Sequence, residues 1–370
     1  MRIRPLLATL LAVGLVAAGC SGDSDDDAEA GTDDAAVVTS TTEVQLLGTE
    51  TDQSGAEENG APPPTELAEV AAPFPLTGAA VGDAAAVDRP ALAVKIDNAP
   101  SALPQAGIND ADVVFEERVE GGLTRLLAIF HSQDTDEVGP VRSARSTDIP
   151  ILATLVQPLF AWSGANAAFA ELVRQSNVVD VGVEAAFDAY EARDDRPQPS
   201  HLFSSTEALY AAADGQGVAP RQMFRYRADD SFPPSAREIE GITIDYGATT
   251  VTFTWDAGAG GWLRTQDGEP HLDTDGEQVA PTNVVVRFVT YVDSGSVDSN
   301  GNPVPEAQLQ GLGDAWFLVD GRLIEGQWDQ RARALPAQYL ALNGSFAQLD
   351  PGNTWVVLPD EGAVQVDEVG

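Results

Sequence analysis

The sequence predicts an α/β N-terminal domain (α+β in overall arrangement) with a mixed sheet, then a smaller, mainly antiparallel β domain, with a disordered tether in front. Apolar runs alternate with segments of helical composition to about Arg227, as expected where strands and helices alternate around a mixed sheet. After Phe232-Pro233-Pro234, short runs of period two are separated by Gly and Asp turns, which indicates antiparallel strands. Residues 21–72 are mostly Asp, Glu, Thr, Ser, Gly, Ala and Pro, too little apolar content to offset the entropy of ordering.

The first residues have the pattern of a lipoprotein leader. Arg2 and Arg4 give a positive start, residues 6–18 are apolar, and Ala17-Ala18-Gly19-Cys20 forms a small-residue cleavage site. We therefore predict a signal peptide over residues 1–19, and a Cys20 thiol that carries diacylglycerol, with palmitate as the acyl group. Residues 20–72 would join this anchor to the folded part. The alternative is an ordinary secretory signal that happens to contain a cysteine.

Strand and helix signals divide the rest of the chain into a domain over residues 73–228, a second over 229–360, and a tail over 361–370. The first domain has buried or half-buried strand patterns and helical segments closed by a plausible N-cap at Ser204-Ser205. Its predicted strands are residues 91–96, 111–116, 123–131, 159–162 and 178–183, and its predicted helices are residues 147–155, 165–174 and 204–210. The second domain has predicted strands at residues 242–246, 250–255, 284–289, 315–319 and 355–358.

The charge balance excludes two classes of partner. The formal net charge is −38 over 370 residues, so the chain has no basic face for nucleic acid or for an anionic membrane surface. Lys95 is the single lysine of the predicted folded part, and arginine carries its other fixed positive charge. Membrane attachment is therefore expected through the lipid and not through charge.

Three arginines fall in one short region of this acidic chain. Arg125 lies on the predicted strand 123–131, and Arg142 and Arg145 follow it three residues apart. If Ser143 begins a helix, both would lie near free backbone N–H groups that favour an anion, and guanidinium groups bind phosphate or carboxylate through paired hydrogen bonds. These residues, with Ser143, are the predicted anion site. The alternative is internal pairing with Glu116, Glu117 or Glu120.

Acidic and amide groups at strand ends form a second candidate set. Asp97, Asp112 and Glu116 are candidate Mg²⁺ ligands beside a substrate's phosphates, and Asn98 adjoins them at the turn. Such residues also commonly cap turns. We expect no cofactor unless the chain is an enzyme, in which case Mg²⁺ is the expected metal.

Several blocks resemble the YerB-like lipoprotein family, a bacterial family of unknown function with an N-terminal and a C-terminal domain. The resemblance covers about residues 73–359 in the same order throughout. The blocks are residues 75–78 (PLTG), 89–98, 104–107 (PQAG), 111–116 (ADVVFE), 120–125 (EGGLTR), 138–145 (VGPVRSAR) and 351–355 (PGNTW). It implies an envelope lipoprotein of two domains, and it brings no established activity.

Two further residues are candidates on weaker grounds. His201 is the one histidine in a block similar to the family, and a structural role is its alternative. Trp162 ends a predicted strand before Gly164 and could stack on a sugar, or simply pack in the core. The chain has no Gly-x-Ser-x-Gly motif, and no Ser-His-Asp arrangement can be assigned.

Two hypotheses follow. The first is a lipoprotein anchored on the extracytoplasmic face of the cell membrane that binds, without catalysis, an anionic envelope ligand or an envelope protein. A cell-wall glycopolymer and a polyprenyl phosphate are the expected ligand classes. The second is an enzyme similar to the LytR-CpsA-Psr proteins, acting on a polyprenyl-pyrophosphate-linked glycopolymer. It rests on the order of arginines, strands and helices, although Leu126 follows Arg125 where those proteins have an aspartate.

Overall fold

The computed structural model describes residues 73–82, 84–298 and 301–370. The predicted signal peptide, the lipidated Cys20 and the disordered tether lie outside the described residues. None of the helices in the described part of the chain combines the length and the apolar character needed to span a bilayer.

Strands dominate the fold, and the helices are short. The helices are α1 (Asp148–Leu152), α2 (Ala167–Gln175) and α3 (Thr206–Ala212), with single 3-10 turns at Ala84–Val87, Pro100–Ala102, Glu120–Gly122, Ala153–Leu155 and Phe187–Ala189. The strands are β1 (Leu92–Asp97), β2 (Val113–Arg118), β3 (Thr124–Phe130), β4 (Leu159–Ala161), β5 (Val179–Asp180), β6 (Glu191–Ala192), β7 (Leu202–Phe203), β8 (Arg225–Tyr226), β9 (Arg237–Asp245), β10 (Thr250–Asp256), β11 (Gly261–Gln266), β12 (Glu269–Pro270), β13 (Asn283–Arg287), β14 (Tyr291–Val297), β15 (Pro303–Ala307), β16 (Gly311–Val319), β17 (Arg322–Gln330), β18 (Gln338–Ala341), β19 (Gln348–Leu349), β20 (Thr354–Leu358) and β21 (Val364–Glu368).

The predicted fold class is confirmed. Within the described residues, one mixed sheet of 15 strands runs in the order β12-β11-β10-β9-β17-β16-β13-β20-β2-β3-β1-β4-β5, with β18 and β21 attached to β17 and β9. The pairs β1–β4, β4–β5, β2–β20 and β13–β20 are parallel, and the other pairs along this order are antiparallel. Strands β14 and β15 form a separate antiparallel hairpin.

The central strands are buried on both faces, as predicted for residues 123–131. All seven residues of β3 and all five of β13 and β20 are buried, because apolar layers cover both sides of the sheet. Successive residues of β1 point to different layers: Ala93 belongs to one core and Val94 to the other.

Strand β20 connects the two halves of the sequence. It lies parallel to β13 on one side and to β2 on the other. Its Trp355 is 1% exposed and is paired with Val114 and Val284 in the two ladders. The hydrogen-bonded sheet is therefore continuous across the predicted boundary between residues 228 and 229, while the division into two domains stays a prediction. The predicted tail contains β21, which pairs with β9.

This continuity predicts that residues 73–228 do not fold when expressed alone. Without β20, strand β2 becomes an edge whose apolar residues and backbone groups face solvent. We expect no cooperative unfolding transition in urea, whereas residues 73–370 unfold cooperatively. A cooperative transition from the shorter segment would contradict the dependence on β20.

Candidate anion-binding site

A cleft of about 520 Å³ lies at the end of β1, beside the start of β3. The four residues of the predicted anion site, Arg125, Arg142, Ser143 and Arg145, all line it, and so does Asp97. Its remaining wall comes from the 3-10 turn before β3, the residues before α2, and the β14–β15 hairpin. The structure therefore brings together side chains from the end of β1, the start of β3 and the segment before residue 148.

Backbone pairing explains why these residues converge. Asp97 is directly opposite Arg125 in the β1–β3 ladder. Arg142 is held beside β1, since its N–H donates to the Lys95 carbonyl at 2.7 Å and its carbonyl accepts from Ser163 N–H at 2.9 Å. The condition that Ser143 begins a helix is not met, because the next N–H, that of Ala144, donates to the Gly164 carbonyl at 3.1 Å and is not free to bind an anion. Helix α1 begins only at Asp148 and has 5 residues.

Two of the arginines are paired with carboxylates. Arg142 Nε donates to Asp97 Oδ2 at 3.0 Å, and Ser200 Oγ donates to the same oxygen at 2.6 Å. Arg145 Nη2 donates to Glu120 Oε2 at 2.9 Å. Its Nε lies 2.8 Å from Glu120 Oε1, a contact of opposite charges without the alignment of a hydrogen bond. The pairing alternative therefore holds for Arg145 with Glu120, and Arg142 takes a partner outside the expected set.

Arg125 differs from the other two. It is 7% exposed, its Nη1 donates to the Ser143 carbonyl at 3.2 Å, and its buried Nε has no hydrogen-bond partner. Among the described residues, no carboxylate lies within ion-pair distance of it. Burial, followed by the positive charges of Arg145 and Arg142, lowers the pKa of Arg125 to about 10. Arg125 thus stays protonated at neutral pH without a carboxylate partner of its own.

Three carboxylates line the cleft beside its three arginines. Asp97 and Glu120 are engaged as described above, and the third, Asp298, lies on the hairpin side of the lining. Asp298 accepts from Asn302 N–H at 2.8 Å and from Asn302 Nδ2 at 3.0 Å. Among the described residues, Arg125 is therefore the one arginine of the cleft lining that forms no ion pair with a carboxylate.

A fully buried charge cluster supports the arginine loop from behind. Lys95 Nζ donates to Asp148 Oδ1 at 2.7 Å and to Glu117 Oε1. Asp148 Oδ2 in turn accepts from the Arg145 N–H at 2.7 Å. Burial raises the pKa of Glu117, and the nearby Lys95 opposes this shift. Sequence reasoning missed this cluster, although the single lysine of the chain within a buried strand was a usable signal.

Glu116 and Asn98 belong to a second buried network and not to the cleft. Arg264 Nη2 donates to Glu116 Oε1 at 2.8 Å, and Thr124 Oγ1 donates to the same oxygen at 2.9 Å. Asn98 Nδ2 donates to Thr124 Oγ1 at 2.7 Å and to Gln266 Oε1 at 2.9 Å. These contacts join the first half of the chain to β11.

The three candidate Mg²⁺ ligands are not brought together. Asp97 lies in the cleft, Glu116 in the second network, and Asp112 at the opposite end of the sheet, where it accepts from Ser132 N–H at 2.7 Å. Over residues 73–82, 84–298 and 301–370, no three His, Cys, Asp or Glu side chains gather as a metal site.

His201 and Trp162 are not in the cleft lining. Trp162 Nε1 donates to Asp180 Oδ1 at 2.8 Å, and its ring stacks on Phe160 at 6.2 Å between centroids. The His201 carbonyl accepts from Arg193 N–H, and its buried Nδ1 has no hydrogen-bond partner. The residue of this block that reaches the site is Ser200, through Asp97, so sequence reasoning indicated the right segment and the wrong side chain.

Comparisons with known proteins agree with this fold. Residues 76–219 match the N-terminal domain, and residues 242–356 the C-terminal domain, of a protein of unknown function, DUF3048. The chain is 29% identical over 305 residues to YerB of Bacillus subtilis (strain 168), a protein whose name classes it provisionally as a lipoprotein; the match covers 80% of this chain and 88% of YerB. The crystal structure of Bacillus subtilis YerB superposes with a TM-score of 0.68 at 24% identity, covering 80% of this chain and 99% of that chain.

The buried cluster behind the cleft predicts a large effect of Lys95→Met on stability. The substitution leaves Glu117 and Asp148 buried without their cation, which costs about 3–5 kcal/mol in the free energy of unfolding. Urea denaturation measures this value. Arg331→Met is the control, because the Arg331 side chain is 76% exposed and its pair should contribute no more than about 1 kcal/mol. Equal losses from the two variants would show that the Lys95 cluster is not a stabilising feature.

Asp112 predicts a defined pH dependence. Burial raises its pKa from 3.8 to about 6, against the opposing hydrogen bonds from Ser132. A carboxyl group with a raised pKa in the folded state contributes stability below its unfolded pKa and loses that contribution as the pH rises through the folded pKa. The free energy of unfolding of the wild type minus that of Asp112→Asn should fall between pH 4 and pH 6.5. The expected fall is about 1.4 kcal/mol for each unit of pKa shift. Urea denaturation across this range tests it, and parallel pH profiles would contradict it.

Proposed function

The chain belongs to the YerB-like family, whose members consist of the DUF3048 N-terminal and C-terminal domains, and on this premise we propose that it is an envelope lipoprotein that binds an anionic ligand. In this proposal Cys20 carries the lipid, and the folded part is held on the extracytoplasmic face of the cell membrane. The leader pattern and the name of the relative YerB support the anchor.

The observation that carries the binding proposal is the state of Arg125. It is buried beside two other arginines, has no carboxylate partner, and keeps a donor unused. An unpaired buried charge is costly, so this arrangement favours a ligand that supplies negative oxygens. A phosphate group suits three converging guanidinium groups, because several oxygens can each accept a charge-assisted hydrogen bond.

The oxygen atoms of a bound ligand would accept hydrogen bonds from the cleft arginines without displacing the existing ion pairs with Asp97 and Glu120. Arg142 keeps a side-chain exposure of 23% while bonded to Asp97 through Nε and to Ser143 Oγ through Nη1 at 3.3 Å, so its Nη2 remains available to a ligand. Arg145 is 9% exposed and more fully committed to Glu120. We therefore assign the direct contacts to Arg125 and Arg142, and a supporting charge to Arg145.

The second candidate is an enzyme similar to the LytR-CpsA-Psr proteins. One observation favours it: Asp97 and Glu120 line the same cleft as the arginines, as phosphoryl or glycosyl transfer would require. Both carboxylates are engaged by arginines, however, so either would have to be released before acting as a base or a Mg²⁺ ligand. The non-enzymatic binding role needs no such change and is the one we adopt.

Titration calorimetry with inorganic phosphate and pyrophosphate tests the proposal on the full chain. We expect Arg142→Gln to weaken binding about tenfold or more, since a hydrogen bond to a charged group contributes about 1.5–3 kcal/mol. Arg193→Gln is the matched control. Its side chain is 28% exposed and is likewise paired with a carboxylate, Glu137, at 2.8 Å, but it lies outside the cleft lining.

The two variants should both fold, which circular dichroism and thermal unfolding would verify. Equal affinities in Arg142→Gln and Arg193→Gln would remove the cleft as the binding site. Absence of binding to either anion in the wild type would reject the binding proposal itself.

A further inference from the structure

A second chamber of about 430 Å³ adjoins the arginine cleft. Val119, Glu120 and Val304 line both cavities, so the two cavities lie side by side. The β14–β15 hairpin lines both cavities. A small inorganic anion fills only part of this combined space.

The second chamber does not offer net positive charge. Its one cation, Arg118, lies 2.5 Å from Asp360, and its guanidinium covers the ring of Tyr291 at 4.3 Å. The carboxylates of Glu120 and Asp293 also line this chamber. A second phosphate placed here would face these carboxylates, so the occupant of the second chamber is uncharged.

One wall of the chamber is apolar and accessible. Pro303 and Pro305 lie two residues apart on β15 and therefore face the same side of the hairpin, and Val292, which is 43% exposed, lines the chamber from β14. The Tyr291 hydroxyl adds no hydrogen-bonding capacity, because it donates to the Leu358 carbonyl at 2.8 Å and accepts from Arg118 N–H at 2.9 Å. This wall suits the C–H face of a ring and not a polar edge.

An acceptor borders this apolar surface. Asp293 is exposed and lies directly opposite Pro305 in the β14–β15 ladder, so the two side chains lie on the same face of the hairpin. Its Oδ1 accepts from Gly295 N–H at 2.9 Å, which leaves Oδ2 to accept a hydrogen bond from a hydroxyl group. An apolar surface with an acceptor at its edge matches a pyranose ring, which has a C–H face and a rim of hydroxyl donors.

We infer that the ligand is a sugar phosphate, with its phosphate in the arginine cleft and its neutral sugar ring in the chamber beside Val292, Pro303 and Pro305. This rests on the proposed anion-binding function and names the class of ligand for that site. A fatty or isoprenoid chain would use the apolar surface and leave Asp293 Oδ2, beside it, without a hydrogen-bond donor.

Titration calorimetry on the full chain compares inorganic phosphate, glucose 1-phosphate, N-acetylglucosamine 1-phosphate, octyl phosphate and free glucose. We expect at least one sugar phosphate to bind about tenfold or more tightly than inorganic phosphate and than octyl phosphate, since one well-made set of added contacts changes affinity by that factor. Free glucose should bind more weakly than any of the phosphates.

Val292→Trp tests the second chamber without altering the arginine cleft, because Val292 lines the second chamber and not the cleft. It should reduce sugar phosphate affinity to the level of inorganic phosphate and leave inorganic phosphate binding unchanged. Leu312→Trp is the control at another exposed strand position, with Leu312 at 63% exposure and outside both cavities.

The outcomes are distinguishable. Equal affinities for inorganic phosphate and both sugar phosphates would overturn the sugar assignment while anion binding stands. Tighter binding of octyl phosphate would overturn it in favour of a lipid phosphate. Failure of every phosphate to bind would overturn the proposed function and this inference together.

Discussion

The burial of Lys95 constrains the arrangement of the whole site. A lysine that is 0% exposed needs carboxylates within hydrogen-bond distance, because an unpaired charge in the interior is far less stable than one in water. Glu117 and Asp148 meet this need. Asp148 also accepts the Arg145 N–H, so this ion pair fixes the start of α1 and the backbone of Arg145. The carbonyl of the same lysine accepts the Arg142 N–H and so positions the backbone of Arg142.

The continuous sheet extends this constraint to both halves of the chain. Strand β20 lies between β13 and β2, and the second buried network crosses the same junction from Glu116 to Arg264. Arg264 also lies 4.9 Å from the ring of Trp355 on β20. The strand that joins the halves and the charges buried beside it therefore depend on each other, and the described residues from 73 onward belong to one compact unit.

Local patterns predicted many of the elements, and long-range pairing determined what could not be predicted. The apolar runs of β1 and β3 and the cap of α3 at Ser205 depend on neighbouring residues, so the sequence was sufficient there. The partners of Lys95 lie 22 and 53 residues away, and no spacing rule specifies them. The segment around Ser143 does not begin a helix for the same reason, because Arg142 N–H bonds to Lys95 and Ala144 N–H bonds to Gly164, residues distant in sequence.

Within the described part of the chain, Arg125 has no carboxylate partner because the nearby carboxylates are paired with other cations. Glu116, Glu117 and Glu120 were all candidate partners for the arginines by their sign and position. Arg264 takes the first, Lys95 the second and Arg145 the third, and Asp97 is taken by Arg142. Each of these carboxylates already has a cationic partner, and among the described residues Arg125 is the cleft arginine that remains without one. A fold concerned only with stability could replace it by an apolar residue at little or no cost. Its retention in the wall of a cleft, beside two paired arginines, is therefore better explained by a ligand that completes its coordination than by the packing of the sheet.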